Sequence, residues 1–229
     1  IICIPGLTRN ARDFEGLCAR LAGEWRVLAV DLRGRGESGY ARDPMTYVPL
    51  TYLQDIGALV AELKLPPVVA VGTSMGGIIT MLIAATAREL LCGAVLNDIG
   101  PYIEPAGLDR IRGYVGGGGS HPTWVHAARA LAEGNADVYP DYRLEDWIAM
   151  AKRLYRLNSS GRVVLDYDMR IAEPLKLPGG EAGVDMWPAM DAMKGLPTLL
   201  VRGALSDLLS QETVDKMVDR IGPTAEAVT

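Results

Sequence analysis

The amino-acid sequence predicts an α/β fold built on a mostly parallel, doubly wound sheet. Short apolar runs alternate with segments whose apolar residues recur at helical spacing, which is the pattern of parallel strands joined by crossover helices. Between residues 101 and 195 the alternation stops and we see helical patterns without a convincing buried strand. We therefore also expect an all-helical cap inserted between strands.

The predicted strands are continuous apolar runs, as expected for strands covered on both faces. We expect them at residues 1–4, 27–30, 68–71, 92–96 and 196–201, with a last strand beginning at 225. The predicted helices place apolar residues three or four positions apart. Outside the cap they cover residues 13–22, 52–65, 77–87 and 211–221, and within it residues 106–114, 123–133, 144–157 and 185–193.

This pattern divides the chain into three segments. Residues 1–100 are predicted to form the first part of an α/β core, and residues 101–195 the cap. Residues 196–229 return to the strand and helix pattern and form the second part of the core, which we expect to be incomplete at its C-terminus.

Composition excludes several kinds of partner. The chain has 229 residues, 22% of them charged, and a net charge of −5 without a basic stripe, which argues against nucleic acid. Its longest charge-free apolar run, residues 76–87, is too short to span a membrane. The three cysteines, Cys3, Cys18 and Cys92, form no C-x-x-C pair, and the strand-like positions of Cys3 and Cys92 predict buried free thiols. We therefore expect a reducing, cytoplasmic location.

The most informative motif is Gly72-Thr73-Ser74-Met75-Gly76. It follows a predicted strand and precedes an apolar helix, which is the context in which G-x-S-x-G forms a nucleophile elbow. Small residues two positions before and after the serine leave room for a sharp turn that exposes the hydroxyl. The positive end of the next helix then favours negative charge beside it.

Other motifs do not support a cofactor. The run from Gly34 to Gly39 matches G-x-G-x-x-G, but an irregular stretch with two prolines follows where a dinucleotide site needs a helix. The run from Gly116 to Gly119 lacks the Gly-Lys-Ser/Thr of a P-loop. With two histidines and no paired cysteines, the sequence also predicts no metal site.

Five stretches together resemble the α/β-hydrolase superfamily, in particular its capped esterases, lactonases and carbon–carbon bond hydrolases. Their order and spacing are specific to the superfamily and not to a substrate. They are Pro5-Gly6-Leu7, residues 31–38, residues 72–76, residues 96–101 and residues 202–207.

The resemblance implies roles for five residues. Ser74 would be the nucleophile, and the backbone N–H groups of Met75 and Leu7 would form the oxyanion hole. Asp207, in the turn after a late strand, would be the acid of the catalytic triad. Asp98 is the alternative acid because some relatives carry it there, and its other interpretation is a carboxylate that caps the turn before Pro101.

The catalytic histidine is not within this sequence. The resemblance implies a histidine after the last strand, which begins just before Thr229, so we expect the protein to continue beyond this residue. His121 and His126 both fall in the predicted cap. We expect them to pack within the cap or lie on its surface rather than to serve as the base.

These features predict a cofactor-independent serine hydrolase whose partner is a small-molecule substrate. The predicted reaction is hydrolysis of an ester or lactone of a small to medium apolar carboxylic acid through an acyl-enzyme. Two alternatives stay open at this point. One is a carbon–carbon bond hydrolase of the same fold, and the other is a non-catalytic relative that keeps the pocket and only binds a ligand.

Overall fold

The computed structural model describes residues 1–176 and 185–229. Residues 177–184 of the predicted cap lie outside the described residues. In chain order the strands are β1 (Ile2–Ile4), β2 (Leu28–Ala29), β3 (Val68–Thr73), β4 (Leu91–Asn97), β5 (Ser120–His121), β6 (Tyr155–Leu157), β7 (Val163–Leu165), β8 (Thr198–Val201) and β9 (Ala225–Val228).

Six of these strands form the main sheet, in the order β2-β1-β3-β4-β8-β9. Every neighbouring pair runs parallel, and β3, which leads to Ser74, lies inside the sheet between β1 and β4. The ends of parallel strands share one edge of a sheet. The turns after β1, β3, β4 and β8 therefore meet at the carboxyl edge, where ligands bind in open α/β sheets.

In the described residues, eight α-helices accompany the strands. They are α1 (Glu15–Leu21), α2 (Pro49–Glu62), α3 (Met75–Thr86), α4 (Pro105–Tyr114), α5 (Trp124–Asn135), α6 (Leu144–Leu154), α7 (Trp187–Asp191) and α8 (Gln211–Ile221). Short 3₁₀ turns cover Ala11–Phe14, Pro44–Thr46, Arg88–Leu90, Met169–Ala172 and Pro174–Lys176. Helices α2, α3, α7 and α8 form a continuous layer in which each contacts the next. The predicted α/β fold with a parallel sheet is confirmed.

Helices are the commonest elements in the described residues between β4 and β8, but the expectation that this segment is all-helical was wrong. Strands β5, β6 and β7 form a separate antiparallel sheet in the order β5-β7-β6. Helix α6 ends at Leu154, and the next three residues, predicted as its last turn, form β6. Strands of two or three residues are too short to show an alternating apolar pattern, and their pairing depends on contacts distant in sequence.

Buried apolar residues of the described ranges form two clusters. The larger one lies around the main sheet and includes residues of α2, α3, α7 and α8. The smaller one lies between α5 and α6. It includes Ala127 of α5, Trp147 of α6 and Val163 of β7. Because α7 contributes Met190 to the larger cluster, the last helix before β8 packs with the sheet. The division of the chain at residues 100 and 195 stays a prediction.

The cysteines are free thiols, as predicted, although one of them is not buried. Burial raises the pKa of Cys3, in β1, to about 11. Cys92 is exposed, because it lies near the beginning of β4, where its Sγ contacts the carbonyl oxygen of Pro67 at 3.4 Å. Among the described residues, no helix is both long and apolar enough to cross a bilayer.

Candidate active site

Ser74 occupies a strained turn between β3 and α3. Its backbone has φ 50° and ψ −115°, a conformation that non-glycine residues rarely adopt. Its N–H donates to the carbonyl of Asn97 on β4 at 2.9 Å, and its carbonyl accepts from the N–H of Gly77 at 2.8 Å. Within the described part of the chain its hydroxyl has no hydrogen-bond partner. The turn therefore presents a half-buried, unengaged hydroxyl at the carboxyl edge of the sheet.

The two glycines of the motif are required by close backbone contacts. A Cβ atom at Gly72 would lie 2.5 Å from the carbonyl carbon of Gly76, and one at Gly76 would collide with the carbonyl oxygen of Ile4 on β1. Real Cβ atoms essentially never approach backbone so closely. The G-x-S-x-G pattern is thus a steric condition for packing α3 against β1 and β3.

The turn after β1 lies beside Ser74. A Cβ atom built on Gly6 would stand 3.6 Å from the Cβ of Ser74. The carbonyl of Gly6 accepts from the N–H of Arg9 at 3.2 Å, and the N–H of Leu7 points the opposite way because the peptide between Gly6 and Leu7 is trans. The N–H groups of Leu7 and Met75 have no acceptor among the described residues. Two unused backbone donors therefore lie on the segments that flank Ser74.

Asp207 lies in the turn after β8 and is held from α4. Both of its carboxylate oxygens accept hydrogen bonds from Arg110, at 2.5 Å and 2.7 Å. The Arg110 guanidinium lowers the pKa of Asp207 below its ordinary range, while partial burial acts in the opposite direction. Gly107 of α4 leaves no room for a Cβ against the carbonyl of Asp207. Helix α4 therefore packs directly on this turn.

Asp98, the alternative acid, connects two neighbouring turns. It has φ 55°, its N–H donates to the carbonyl of Val201 at 2.7 Å, and its Oδ1 accepts from the N–H of Gly203 at 3.0 Å. Its carboxylate is thus engaged by the backbone that follows β8. Asp98 therefore joins the two turns rather than capping only the turn before Pro101, and the choice between the two acids stays a prediction.

Neither histidine of the sequence is engaged with the Ser74 turn. The ring of His121, on β5, packs edge-on against Tyr155 with centroids 5.5 Å apart. The Nδ1 of His126 lies 2.8 Å from the hydroxyl of Thr123, which caps α5. These contacts agree with packing inside the segment between β4 and β8, and the location of the catalytic base stays a prediction.

The glycine-rich run from Gly34 to Gly39 forms a closed turn. The N–H of Gly34 donates to the carbonyl of Gly39 at 2.9 Å, and Asp31 accepts from the N–H of Glu37 at 3.0 Å. No helix opens at these glycines, and the next α-helix begins at Pro49. Among the described residues there is also no cluster of three His, Cys, Asp or Glu side chains able to hold a metal ion.

Sequence reasoning missed two arginines beside these turns, Arg110 and Arg35. Arg110 lies on α4, and the packing of this helix on the β8 turn is visible only in the folded structure. Arg35 has no exposed surface, and its Nε donates to the carbonyl of Leu7 at 2.8 Å. A single arginine inside a glycine-rich turn carries no sequence signal of burial, because arginines are almost always on the surface.

A parallel sheet of this order, with a sharp strand-to-helix turn at a serine between β3 and α3, is the arrangement of the α/β-hydrolase fold. The chain belongs to the α/β hydrolase family, whose sequence model matches residues 1–227. The predicted resemblance to this superfamily is therefore confirmed.

Individual relatives are named hydrolases. The chain is 34% identical over 229 residues to the 3-hydroxybutyrate-oligomer hydrolase of Cupriavidus necator, covering 96% of this chain and 77% of the relative. It is 29% identical over 224 residues to the 2-(acetamidomethylene)succinate hydrolase of Mesorhizobium japonicum, covering 97% and 76%. A crystal structure of an alpha/beta hydrolase from Novosphingobium aromaticivorans superposes with a TM-score of 0.93 at 55% identity, covering 99% of this chain and 79% of that one.

Proposed function

We propose that this protein is a cofactor-independent serine hydrolase in which Ser74 is the nucleophile. The observation that carries the proposal is the Ser74 turn, with its positive φ and its unengaged hydroxyl. Keeping a serine in this conformation costs about 1–3 kcal/mol, and such strain tends to persist where function needs it. A purely structural turn at this position would not need an open hydroxyl next to two unused N–H donors.

The proposed reaction proceeds through an acyl-enzyme. The Ser74 oxygen attacks the carbonyl carbon of the substrate while its proton passes to a histidine, and the carbonyl oxygen becomes an oxyanion. The N–H groups of Met75 and Leu7 donate to this oxyanion, and loss of one such donor typically costs about 10²–10³-fold in kcat. The leaving alcohol takes the proton from the histidine. Water then attacks the acyl-enzyme, releases the acid and restores the serine.

We assign Asp207 the role of the acid that orients this histidine. An ionised carboxylate offers about four acceptor positions, so the two hydrogen bonds from Arg110 leave room for an imidazole N–H. The depressed pKa keeps Asp207 ionised at neutral pH, as this role requires. The histidine itself stays an expectation from the family pattern, which implies one after the last strand. The segment between β4 and β8 would act as a cap over the site.

The relatives narrow the proposed substrate class. Hydrolysis of a 3-hydroxybutyrate oligomer cleaves an ester bond between a hydroxyl and a carboxyl group, and this is the activity for which one relative is named. We propose that this chain likewise hydrolyses an ester of a short hydroxy acid. The free thiols fit a cytoplasmic enzyme of this kind.

The test is the release of monomer from the linear dimer and trimer of 3-hydroxybutyrate, followed by liquid chromatography and mass spectrometry. The full-length protein should release monomer, and Ser74→Ala should reduce the rate by about 10³-fold or more. Lys194→Ala, which changes an exposed residue before β8 at the edge of the sheet opposite Ser74, is the control and should retain wild-type activity. A Ser74→Ala variant that hydrolyses the dimer at the wild-type rate would contradict the proposal.

A further inference from the structure

Arg35 is a fully buried cation without a carboxylate partner at ion-pair distance among the described residues. Its guanidinium donates to the carbonyls of Leu7 at 2.8 Å and Arg33 at 2.7 Å, and to the hydroxyl of Tyr52 at 2.7 Å. Within the part of the chain that the structure describes, its Nη2 has no hydrogen-bond partner. This is an unusual position for an arginine, since buried charges in proteins are normally paired with opposite charges.

The burial of this charge is only partly compensated. Removal from water lowers the pKa of Arg35, although a guanidinium stays protonated in proteins. The ring centroids of Tyr52 and Tyr47 lie 4.8 Å and 5.7 Å from its central carbon, close enough for cation–π attraction. A well-packed apolar side chain would avoid the desolvation cost altogether. That an arginine nevertheless occupies this position suggests that its N–H donors have a role besides stabilising the fold.

The hydrogen bond from Arg35 to the Leu7 carbonyl fixes the second of the two peptide groups that flank the Leu7 Cα. The peptide group before Leu7 is held by the hydrogen bond from Arg9 to the Gly6 carbonyl. The peptide group after Leu7 carries the carbonyl that Arg35 holds. With the planes on both sides fixed, the two backbone dihedrals of Leu7 are fixed as well, and so is the direction of its N–H.

Arg35 is itself anchored well enough to act as a fixed support. Its backbone pairs with Tyr167 in an isolated antiparallel β-bridge, and the N–H of Asp168 donates to the neighbouring carbonyl of Gly34 at 2.8 Å. The hydroxyl of Tyr47, whose ring faces Arg35, donates to Asp168 at 2.7 Å. The guanidinium therefore links the turn after β1 to the Gly34 turn and, through it, to residues 167–168.

We propose that Arg35 is a positioning residue that aims the Leu7 N–H at the oxyanion. This inference rests on the proposed function, because it assumes that Leu7 serves the oxyanion hole beside Ser74. Arg35 does not touch the substrate and acts only through the backbone of Leu7. Its loss should consequently weaken the binding of the transition state far more than the binding of the substrate.

The experiment compares Arg35→Met and Arg35→Lys with Arg33→Met in the full-length protein. Arg33 is the matched control, since it lies in the same turn but directs its side chain to Asp55 at 2.6 Å. The readouts are kcat and KM for p-nitrophenyl butyrate, the Ki of an alkyl trifluoromethyl ketone that forms a tetrahedral adduct with the serine, and the melting temperature. Ser74→Ala is assayed beside them.

We expect Arg35→Met to lower kcat about 100-fold and to raise the Ki by a similar factor, with KM within about threefold of wild type. Arg35→Lys, which keeps the charge and can reach one carbonyl, should recover about tenfold of the lost kcat. Arg33→Met should stay within about twofold of wild type in kcat and Ki.

Two results would overturn the inference alone. One is a folded Arg35→Met variant with wild-type kcat and Ki beside an inactive Ser74→Ala variant. The other is failure of both Arg35 variants to fold, which would assign Arg35 to fold stability. If the wild-type protein neither hydrolyses the ester nor binds the ketone, the proposed function itself fails, and the inference fails with it.

Discussion

The turn after β3 and the turn after β8 carry the two proposed catalytic side chains and are stabilised in different ways. The β3 turn is fixed by backbone packing, with Gly72 and Gly76 pressed against neighbouring main-chain atoms. The β8 turn also packs on backbone, at Gly107 of α4, but its carboxylate is held by a side chain, through an ion pair in which Arg110 is 53% and Asp207 39% exposed. The nucleophile is thus held by sterics, and its acid by electrostatics near the surface.

The two turns should therefore respond differently to substitution, to pH and to salt. Steric packing of backbone does not depend on pH or salt, and violating it is expensive. An exposed ion pair contributes about 1 kcal/mol or less and is screened by salt. We therefore expect substitution of the two glycines of the β3 turn to affect folding, and substitution of Asp207 in the β8 turn to affect mainly activity.

The largest expected effect separates the two acid candidates. Asp207→Asn should lower kcat/KM for p-nitrophenyl butyrate by about 10³–10⁴-fold, because an amide cannot orient and stabilise a histidine cation. Asp98→Asn is the matched control, since asparagine tolerates positive φ and still accepts from the N–H of Gly203. It should stay within about tenfold of wild type. The opposite ranking would assign the role of the acid to Asp98 and would contradict the catalytic role proposed for the β8 turn.

A steric change breaks the β3 turn. Gly76→Ala directs a methyl group into the carbonyl of Ile4 and should destabilise the protein by about 3 kcal/mol in urea unfolding. Gly57→Ala, inside α2 with nothing within 4 Å of the new Cβ, should stabilise by about 0.5–1 kcal/mol. Equal effects of the two substitutions would show that backbone contact does not fix the elbow.

The smallest expected effect concerns the ion pair on the β8 turn. Arg110 lowers the folded-state pKa of Asp207 below the ordinary value of 3.8, so the pair stabilises the fold above that pH and loses this contribution as the pH falls through the folded-state pKa. Arg110→Met should therefore cost at most about 1 kcal/mol at pH 7, a limit set by the exposure of both partners, and progressively less below pH 3.8.

Urea unfolding of both proteins at pH 7 and pH 3 measures this difference. Lys216→Met, which breaks the more exposed pair with Glu212 on α8, is the control and should cost less than Arg110→Met at pH 7. A cost of Arg110→Met that is as large at pH 3 as at pH 7 would assign the effect to packing of the arginine stem.

Features that depend on local sequence patterns could be predicted from the sequence. Strands β1, β3 and β4 and the turn around Ser74 are dictated by local patterns, namely apolar runs and glycines at fixed offsets from the serine. Such features require no knowledge of distant residues. The order of these elements was enough to predict the parallel sheet and the family.

What could not be predicted depends on contacts that are distant in sequence. The β-hairpin of β6 and β7 forms only when Tyr155 pairs with Leu165, and nothing in a three-residue strand announces this. Arg110 meets Asp207 across 97 positions, and Arg35 meets Leu7 across 28. Buried or paired arginines resemble surface arginines in a sequence, so these two partners of the candidate site appear only in the folded structure.

The most direct test of the central claim is the intact mass of the full-length protein before and after exposure to a fluorophosphonate probe. We expect one adduct, mapped to Ser74 by peptide sequencing, and none on Ser74→Ala. An unlabelled wild-type protein, or an adduct on another residue that persists in Ser74→Ala, would contradict the assignment of Ser74 as the nucleophile.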